Sequence, residues 1–476
     1  MMRRYSVFPF LAVLLLLLNT SCNRTSAPAP YGVIPSAKQV QWQKMEYYMF
    51  VHFGPNTFTD VEWGNGRENP DVFAPTDLDC RQWADVAKQA GMKGIIITGK
   101  HHDGFCLWPS AYSTHTVRES SWRDGKGDVL KELSEACAEY GLKFGVYVSP
   151  WDQNHPLYGE PGYNEAFAGT LSEVLSNYGD VFELWLDGAY GGHPDSTFRY
   201  DWKLFHETAY SKRPELIIFS DIGPDCRWVG NERGKAPSTN WSRLDTDGFA
   251  PGGFAPSHDT LGQGNVHGKY WIPAECDVSI RPGWFYSAST DDKLKSVEQL
   301  MDIYYSSVGH NGTLLLNVPA DRRGKIPAVD SIRLLEFAQA RKEAFSTDYG
   351  RSAEIVSDAV RGDDERFGPQ NMTDGEYDTY WTTDDAVTSA SFVISFECKT
   401  TVSGAMIQEY IPLGQRVKAF SIEYAADENG EWTEIFRGTT IGYKRLVRFD
   451  SVDALKLRFK ILDSYASPVI NNVEVY

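Results

Sequence analysis

The chain has 476 residues, more than one ordinary hydrophobic core serves, so a large domain and a smaller one are expected. Apolar residues at 42% and charged residues at 23% are globular values that argue against a disordered or fibrous chain. A formal net charge of −18, with no basic run interleaved with aromatics, argues against nucleic acid as a partner. Aromatics reach 13%, including 14 Trp and 25 Tyr. Two readings fit that excess: sugar sites, where ring faces stack on pyranose C–H faces, or a large core rich in Trp and Tyr.

The first 22 residues read as a targeting segment. Arg3 and Arg4 precede the apolar run Leu11 to Leu18, which ends in Asn19-Thr20-Ser21-Cys22. The layout is that of a secretory signal, and a cysteine directly after it resembles the lipid-modified cysteine of bacterial lipoproteins. Asn19 stands where that pattern prefers an aliphatic residue, so simple secretion is the alternative. The expected address is the periplasm, outer membrane or cell surface, with a lipid on Cys22 as the link to a membrane. Residues 23–35 are polar and rich in Pro and Ala, as in a tether. The other six cysteines (Cys80, Cys106, Cys137, Cys226, Cys276, Cys398) show no CxxC or metal spacing. Most read as buried small hydrophobes, with a disulfide or two as the alternative in an oxidising compartment.

Residues 36–346 alternate strand and helix patterns. Strand-like runs fall at 47–53, 94–98, 144–148, 181–187, 216–220 and 313–317. Helical stretches fall at 80–90, 128–140, 164–176, 201–210, 291–307 and 326–343. Repeated βα units over this length predict an α/β fold, a (β/α)8 barrel, whose two missing strands belong between Asp221 and Arg281. From residue 347 to 476 short alternating runs dominate: Ala390 to Phe396, Ala419 to Tyr424, Arg445 to Phe449 and Leu455 to Ile461. They predict an antiparallel β-sandwich.

Polar groups collect at strand ends. The first strand ends in His52-Phe53-Gly54, the second in Gly99-Lys100-His101-His102-Asp103, and the fourth in Trp185-Leu186-Asp187. In a parallel barrel those ends face the ligand crevice. Two chemistries use such a set. Histidines and aspartates hold a divalent metal with water in an open position. Alternatively, histidines bind sugar hydroxyls while two carboxyl groups cleave a glycosidic bond, one ionised and one protonated. Against metal, His101 and His102 are adjacent and point to opposite sides of an extended chain, and no HxH spacing is present.

The blocks Tyr48-Met49-Phe50-Val51-His52-Phe53-Gly54, Val61-Glu62-Trp63-Gly64, His101-His102-Asp103-Gly104-Phe105 and Leu184-Trp185-Leu186-Asp187-Gly188 resemble the α-L-fucosidases of glycoside hydrolase family 29. The resemblance spans roughly residues 31–341. It implies a retaining reaction without metal or cofactor on a fucosylated glycan, with Asp187 as nucleophile. It places His52, Glu62, Trp63, His101, His102 and Trp185 around the fucose. The blocks around Glu232 and Glu275, with Ser279 to Tyr286, resemble the subgroup acting on α-1,3/1,4 linkages of Lewis-type glycans. The acid/base candidates are Glu232 and Glu275; in that subgroup the Val-Gly-Asn-Glu glutamate, here Glu232, is the acid/base, and Glu275 is then a supporting carboxylate. Arg281 and Trp284 are expected to contact hydroxyls and stack on the sugar, rather than merely pack their loop. The C-terminal part, through Trp381-Thr382-Thr383, Gly414 to Val417, Trp432 and the closing residues 468–476, resembles the discoidin-like, or factor 5/8 C-type, domain, which serves either as a sugar binder or as a buttress. Two other functions use the same residues: an exo-glycosidase for α-L-galactosides, and a surface protein that binds carbohydrate without cleaving it.

Overall fold

The computed structural model describes residues 25–191 and 198–476. The signal segment and Cys22 lie outside the described residues. In chain order the strands of the first domain are β1 (Tyr47–Val51), β2 (Gly94–Lys100), β3 (Lys143–Val148), β4 (Val181–Trp185), β5 (Ile217–Ser220), β6 (Cys226–Trp228), β7 (Arg243–Leu244), β8 (Tyr270–Trp271), β9 (Ala274–Ser279) and β10 (Thr313–Asn317). Eight of them close into a parallel barrel in the order β1-β2-β3-β4-β5-β6-β9-β10, while β7 and β8 form a separate antiparallel pair. The two strands missing from the pattern, β6 and β9, both lie in the Asp221–Arg281 window. β6 is three residues long, too short for a periodicity to register.

Alternation decides which side chains reach the barrel interior. Tyr48 and Phe50 of β1, Trp185 of β4, Phe219 of β5 and Leu315 of β10 meet in one buried interior cluster. Tyr47, Met49 and Val51, the alternate residues of β1, join a different core beneath the surrounding helices. Each fully buried apolar side chain in these layers is worth roughly 1.5–3 kcal/mol. The helices over residues 80–89, 129–140 and 202–212 begin at Asp79, Asp128 and Asp201, whose side chains accept from backbone N–H groups three residues on. The stretch expected to be helical from Asp291 starts only at Val297, because Ser296 and Gln299 form a reciprocal cap there.

The second domain is antiparallel: β11 (Glu354–Ser357), β12 (Trp381–Thr382), β13 (Ala390–Glu409), β14 (Val417–Ala425), β15 (Thr433–Gly438), β16 (Arg445–Ser464) and β17 (Val469–Val475). The two 20-residue strands β13 and β16 pair along their length with register shifts after Ser395 and Val402. Such irregularities let a long strand bend around a core, here one where Phe392 stacks on Phe459 at 5.0 Å between centroids. This domain docks against the segments that precede β1 and β10: Lys444 pairs with Glu46 at 2.6 Å, and the Leu446 N–H donates to the Gly309 carbonyl at 3.1 Å. It therefore sits toward the amino-terminal ends of the barrel strands, away from the mouth. Residues 25–31, which composition reads as a tether, are tied to it: Arg361 donates to the Ser26 carbonyl (2.7 Å), Arg416 to that of Ala29 (2.6 Å), and Tyr31 stacks on Tyr465.

Candidate active site

The carboxyl ends of the strands enclose a cavity of about 120 Å³ lined by Phe50, His52, Trp63, His101, His102, Tyr147, Trp185, Asp187, Ala189, Glu232, Asp277 and Trp284. Its floor is Trp185, stacked on Phe219 at 4.0 Å and 11° and on Tyr147 at 5.2 Å. Larger cavities lie elsewhere, one at the opposite end of the barrel beside Lys38, Trp42 and Phe182, which lacks this set of histidines and carboxyl groups.

Asp187 stands at the centre. Its Oδ2 accepts from the Tyr147 hydroxyl at 2.8 Å, and its Oδ1 from the Ala189 N–H at 2.7 Å. His102 Nε2 lies 3.8 Å from Oδ2. These contacts fix the carboxylate while leaving it partly open to the cavity, its side chain 23% exposed. Behind the turn, a side chain on Gly188 would collide with the Asp221 carboxylate. Burial and the nearby Asp187 charge push Asp221 up to about 6.

Burial favours the neutral form of the three histidines. Burial lowers all of them, His52 to about 3. Asn317 settles the tautomer of His52. Its Nδ2 donates to Ser279 Oγ (2.9 Å) and the Trp284 carbonyl (2.8 Å), so its Oδ1 accepts, taking the His52 Nδ1–H at 2.8 Å. Nε2 of His52 is then a bare acceptor. His102 is held by Ser149 at 2.8 Å through Nδ1, and Nδ1 of His101 is buried without a partner among the described residues.

Glu232 sits at the exposed rim of the same cavity. Partial burial raises its pKa, the Asp187 charge adds to the rise, and a hydrogen bond from the Trp284 side chain partly offsets it. Glu62 does not line the cavity. Its Oε2 accepts the Trp284 N–H at 2.8 Å, which clamps the 283–285 loop over His52, whose ring lies 5.0 Å from that of Trp284. Trp63 is a rim residue, 62% exposed and edge-on to His102.

Two further expected residues lie elsewhere. Arg281 is buried away from the cavity, gripping Asp330 through two bonds of 2.9 and 2.6 Å and Asp291 at 2.9 Å, so it fastens its loop to the helix over 328–344. Glu275 lies one layer beneath the floor, where it accepts from Trp185 Nε1 at 2.7 Å. Conversely, the motifs of the sequence do not single out Tyr147 or Asp277, which line the pocket. The signal that could find Asp277 is alternation: Glu275 and Asp277 share one face of β9, with Asp277 at the height of the pocket, and its carboxyl is raised well above the usual range by burial and the charges of Glu232 and Glu275.

Among the described residues, Glu183, Cys226 and Glu275 are the group with metal-ligand spacing. The donor set does not fit an ion. Trp42, Tyr48 and Trp185 already donate to the two carboxyls, and burial raises the Cys226 thiol well above its ordinary value. The six cysteines described are free, five of them buried and Cys398 exposed.

A small aromatic-floored pocket at the strand ends of a parallel barrel, with carboxyl groups in unlike environments and neutral imidazoles, defines a glycoside hydrolase. Comparison with known proteins narrows the class. The α-L-fucosidase family model matches residues 31–341, and the F5/8 type C domain model matches 354–475. Alpha-L-fucosidase 1 of Arabidopsis thaliana is 42% identical over 464 residues, 96% of this chain and 90% of that one. The crystal structure of SpGH29 superposes with a TM-score of 0.89 at 38% identity, covering 94% of this chain and 99% of the other. A Ruminococcus gnavus GH29 fucosidase in complex with fucose does so at 0.87 and 33%, covering 95% and 97%. The chain belongs to the α-L-fucosidase family, glycoside hydrolase family 29, and carries a C-terminal F5/8 type C domain.

Proposed function

We propose that this α-L-fucosidase releases terminal α-1,3/1,4-linked L-fucose from Lewis-type branched glycans with retention of configuration. Asp187 attacks the anomeric carbon and the glycosidic bond breaks as Glu232 gives its proton to the departing oxygen. Glu232, now ionised, takes a proton from water, which cleaves the fucosyl ester of Asp187 and returns the enzyme to its starting state. His52, His101 and His102 receive sugar hydroxyls as neutral rings, Trp185 underlies the sugar, and Trp284 and Trp63 frame the leaving group's side. The observation that carries this reading is that Asp187 and Glu232 share one cavity in unlike settings: the first is held by two hydrogen-bond donors, the second is raised by partial burial and by the first. The bound fucose of the R. gnavus relative supports fucose as the sugar. Export by the segment 1–22, with lipid on Cys22, belongs to the same proposal and rests on the layout of that segment; loss of membrane association in Cys22→Ala tests it.

The test compares wild type, Asp187→Ala and Glu232→Ala on Lewis-type trisaccharides and on an activated aryl α-L-fucoside. Asp187→Ala is expected to be inactive on both. Glu232→Ala is expected to keep first-step reactivity only with the activated leaving group and to gain turnover with azide. Wild-type behaviour of Glu232→Ala would move the acid/base elsewhere. Cleavage of aryl α-L-galactosides in preference to fucosides would change the sugar.

A further inference from the structure

The barrel interior beneath the pocket holds two fully buried carboxyl groups that the reaction does not use. Glu183 and Glu275 sit on β4 and β9, two residues below Trp185 and Asp277 respectively, and they hydrogen-bond each other. The groups packed around them are Trp42, Tyr48, Trp185, Cys226 and Thr313. No Lys, Arg or His is among these partners, so two carboxylates here would face each other uncompensated. A carboxyl–carboxyl hydrogen bond needs one proton.

Each carboxyl also accepts from an indole N–H. Glu275 accepts from Trp185 Nε1 at 2.7 Å through Oε1 and from the Tyr48 hydroxyl through Oε2; Tyr48 in turn contacts Thr313 Oγ1 at 3.2 Å. Glu183 accepts from Trp42 Nε1 at 2.8 Å, has the Cys226 thiol 4.0 Å from its other oxygen, and is also within hydrogen-bonding reach of Tyr48. The two carboxyls thus share Tyr48, while the Trp185 indole is held by Glu275 and the Trp42 indole by Glu183, and the proton between them falls to Glu183. Burial raises both carboxyls, Glu183 the further because the charge of Glu275 and the bond to it add to the rise.

The consequence runs upward. Trp185 is the floor of the pocket, and its indole N–H is held from below by Glu275. Its ring stacks on Tyr147, whose hydroxyl donates to Asp187. We propose that Glu275 is a positioning residue for the reaction: with Glu183 as its proton-donating partner, it sets the orientation of Trp185, and through Trp185 and Tyr147 it sets the place of Asp187. What it supplies is an acceptor at a fixed reach, and the charge it carries is incidental to that role.

Two substitutions separate reach from charge. Glu275→Gln keeps an acceptor oxygen at the same reach and removes the charge, since the amide N–H2 can donate to Glu183 and to Tyr48. Glu275→Asp keeps the charge and withdraws the acceptor by one methylene. Both are assayed with wild type on an activated aryl α-L-fucoside, with kcat and KM separated and thermal midpoints recorded. Glu275→Gln is expected within about fivefold of wild-type kcat/KM. Glu275→Asp is expected to lose tenfold or more, chiefly in kcat. In a Trp185→Phe background, which lacks the N–H, the two are expected within twofold of each other. The reverse order, equal losses in the wild-type background, or a difference that persists in the Trp185→Phe background would overturn the proposal. Should Glu275→Asp not fold, Trp185→Phe alone decides: a tenfold loss is expected, and full activity overturns the proposal. The inference rests on the sugar reacting above Trp185. A wild type inert toward the aryl fucoside would sink that reading, whereas an active wild type with the order reversed would sink only the positioning role.

Discussion

Glu232 and Asp187 differ in surroundings more than in chemistry, and that difference sets the expected pH behaviour. A general acid works only while it holds its proton, so a raised pKa extends activity upward from the ordinary carboxyl range. Activity with unactivated glycans should fall as pH rises through the Glu232 pKa, and Glu232→Gln should abolish that basic limb while losing about 10²–10⁴-fold on such substrates. His52 should contribute no limb above pH 5, since burial holds it neutral down to about 3, and burial shifts His101 and His102 in the same direction. A pH–rate profile of kcat/KM for wild type and Glu232→Gln checks both statements. A basic limb that survives in Glu232→Gln would assign the proton to another group, with Asp277 the first candidate on geometry.

At the scale of elements, the pocket is a product of strand alternation and of two loops that close over it. Alternation was legible in the sequence: the apolar runs marked six strands, and the polar residues after β1, β2 and β4 marked the mouth. The height of each inward residue was not legible, because it depends on the stagger between strands that are remote in sequence. Glu275 therefore reads as an acid/base candidate or a supporting carboxylate of the site, although Asp277, two positions on, is the one at pocket height. Arg281 read as a sugar contact because nothing in its own segment shows Asp330, its partner 49 positions away. The Glu62 clamp on the 283–285 loop was hidden for the same reason. That clamp carries its own test. A Cβ on Gly283 would collide with Glu62 Oε1, so Gly283→Ala must displace the clamp. It is expected to lower kcat/KM by about tenfold to 10²-fold, through misplaced Trp284, with little change in Tm. Unchanged kinetics would make the clamp dispensable.

At the scale of the molecule, the C-terminal domain is joined to the barrel by polar contacts on the side away from the mouth. Gln415 donates to the Asn240 carbonyl at 2.9 Å and accepts from the Ser242 N–H at 2.8 Å, and Arg445 donates to the Ser238 carbonyl at 2.6 Å. This placement favours a buttress over a domain that presents glycan to the catalytic pocket. His310 lies in the joint, bonded to the Ala236 carbonyl at 2.9 Å, and burial with the nearby Arg445 charge lowers its pKa to about 4. A histidine with a depressed folded-state pKa binds its proton more readily when unfolded. The stability it contributes is thus complete above about 6.5, declines as pH falls, and is lost by about 4. The limit is on the order of 3 kcal/mol. Thermal unfolding of wild type and His310→Gln across pH 4 to 7 should show wild type losing stability more steeply toward low pH; parallel curves would remove His310 from the account.

Asp187 is the residue expected to form the covalent bond to fucose. Incubation with a 2-deoxy-2-fluoro-α-L-fucosyl donor bearing a good leaving group, followed by proteolysis and mass mapping, tests it most directly. One fluorofucosyl adduct is expected, on the peptide 181–187 or its extension, with the mass shift on Asp187 and none in Asp187→Ala. An adduct on Glu232, Asp277 or Asp221, or adduct formation that survives in Asp187→Ala, would contradict it.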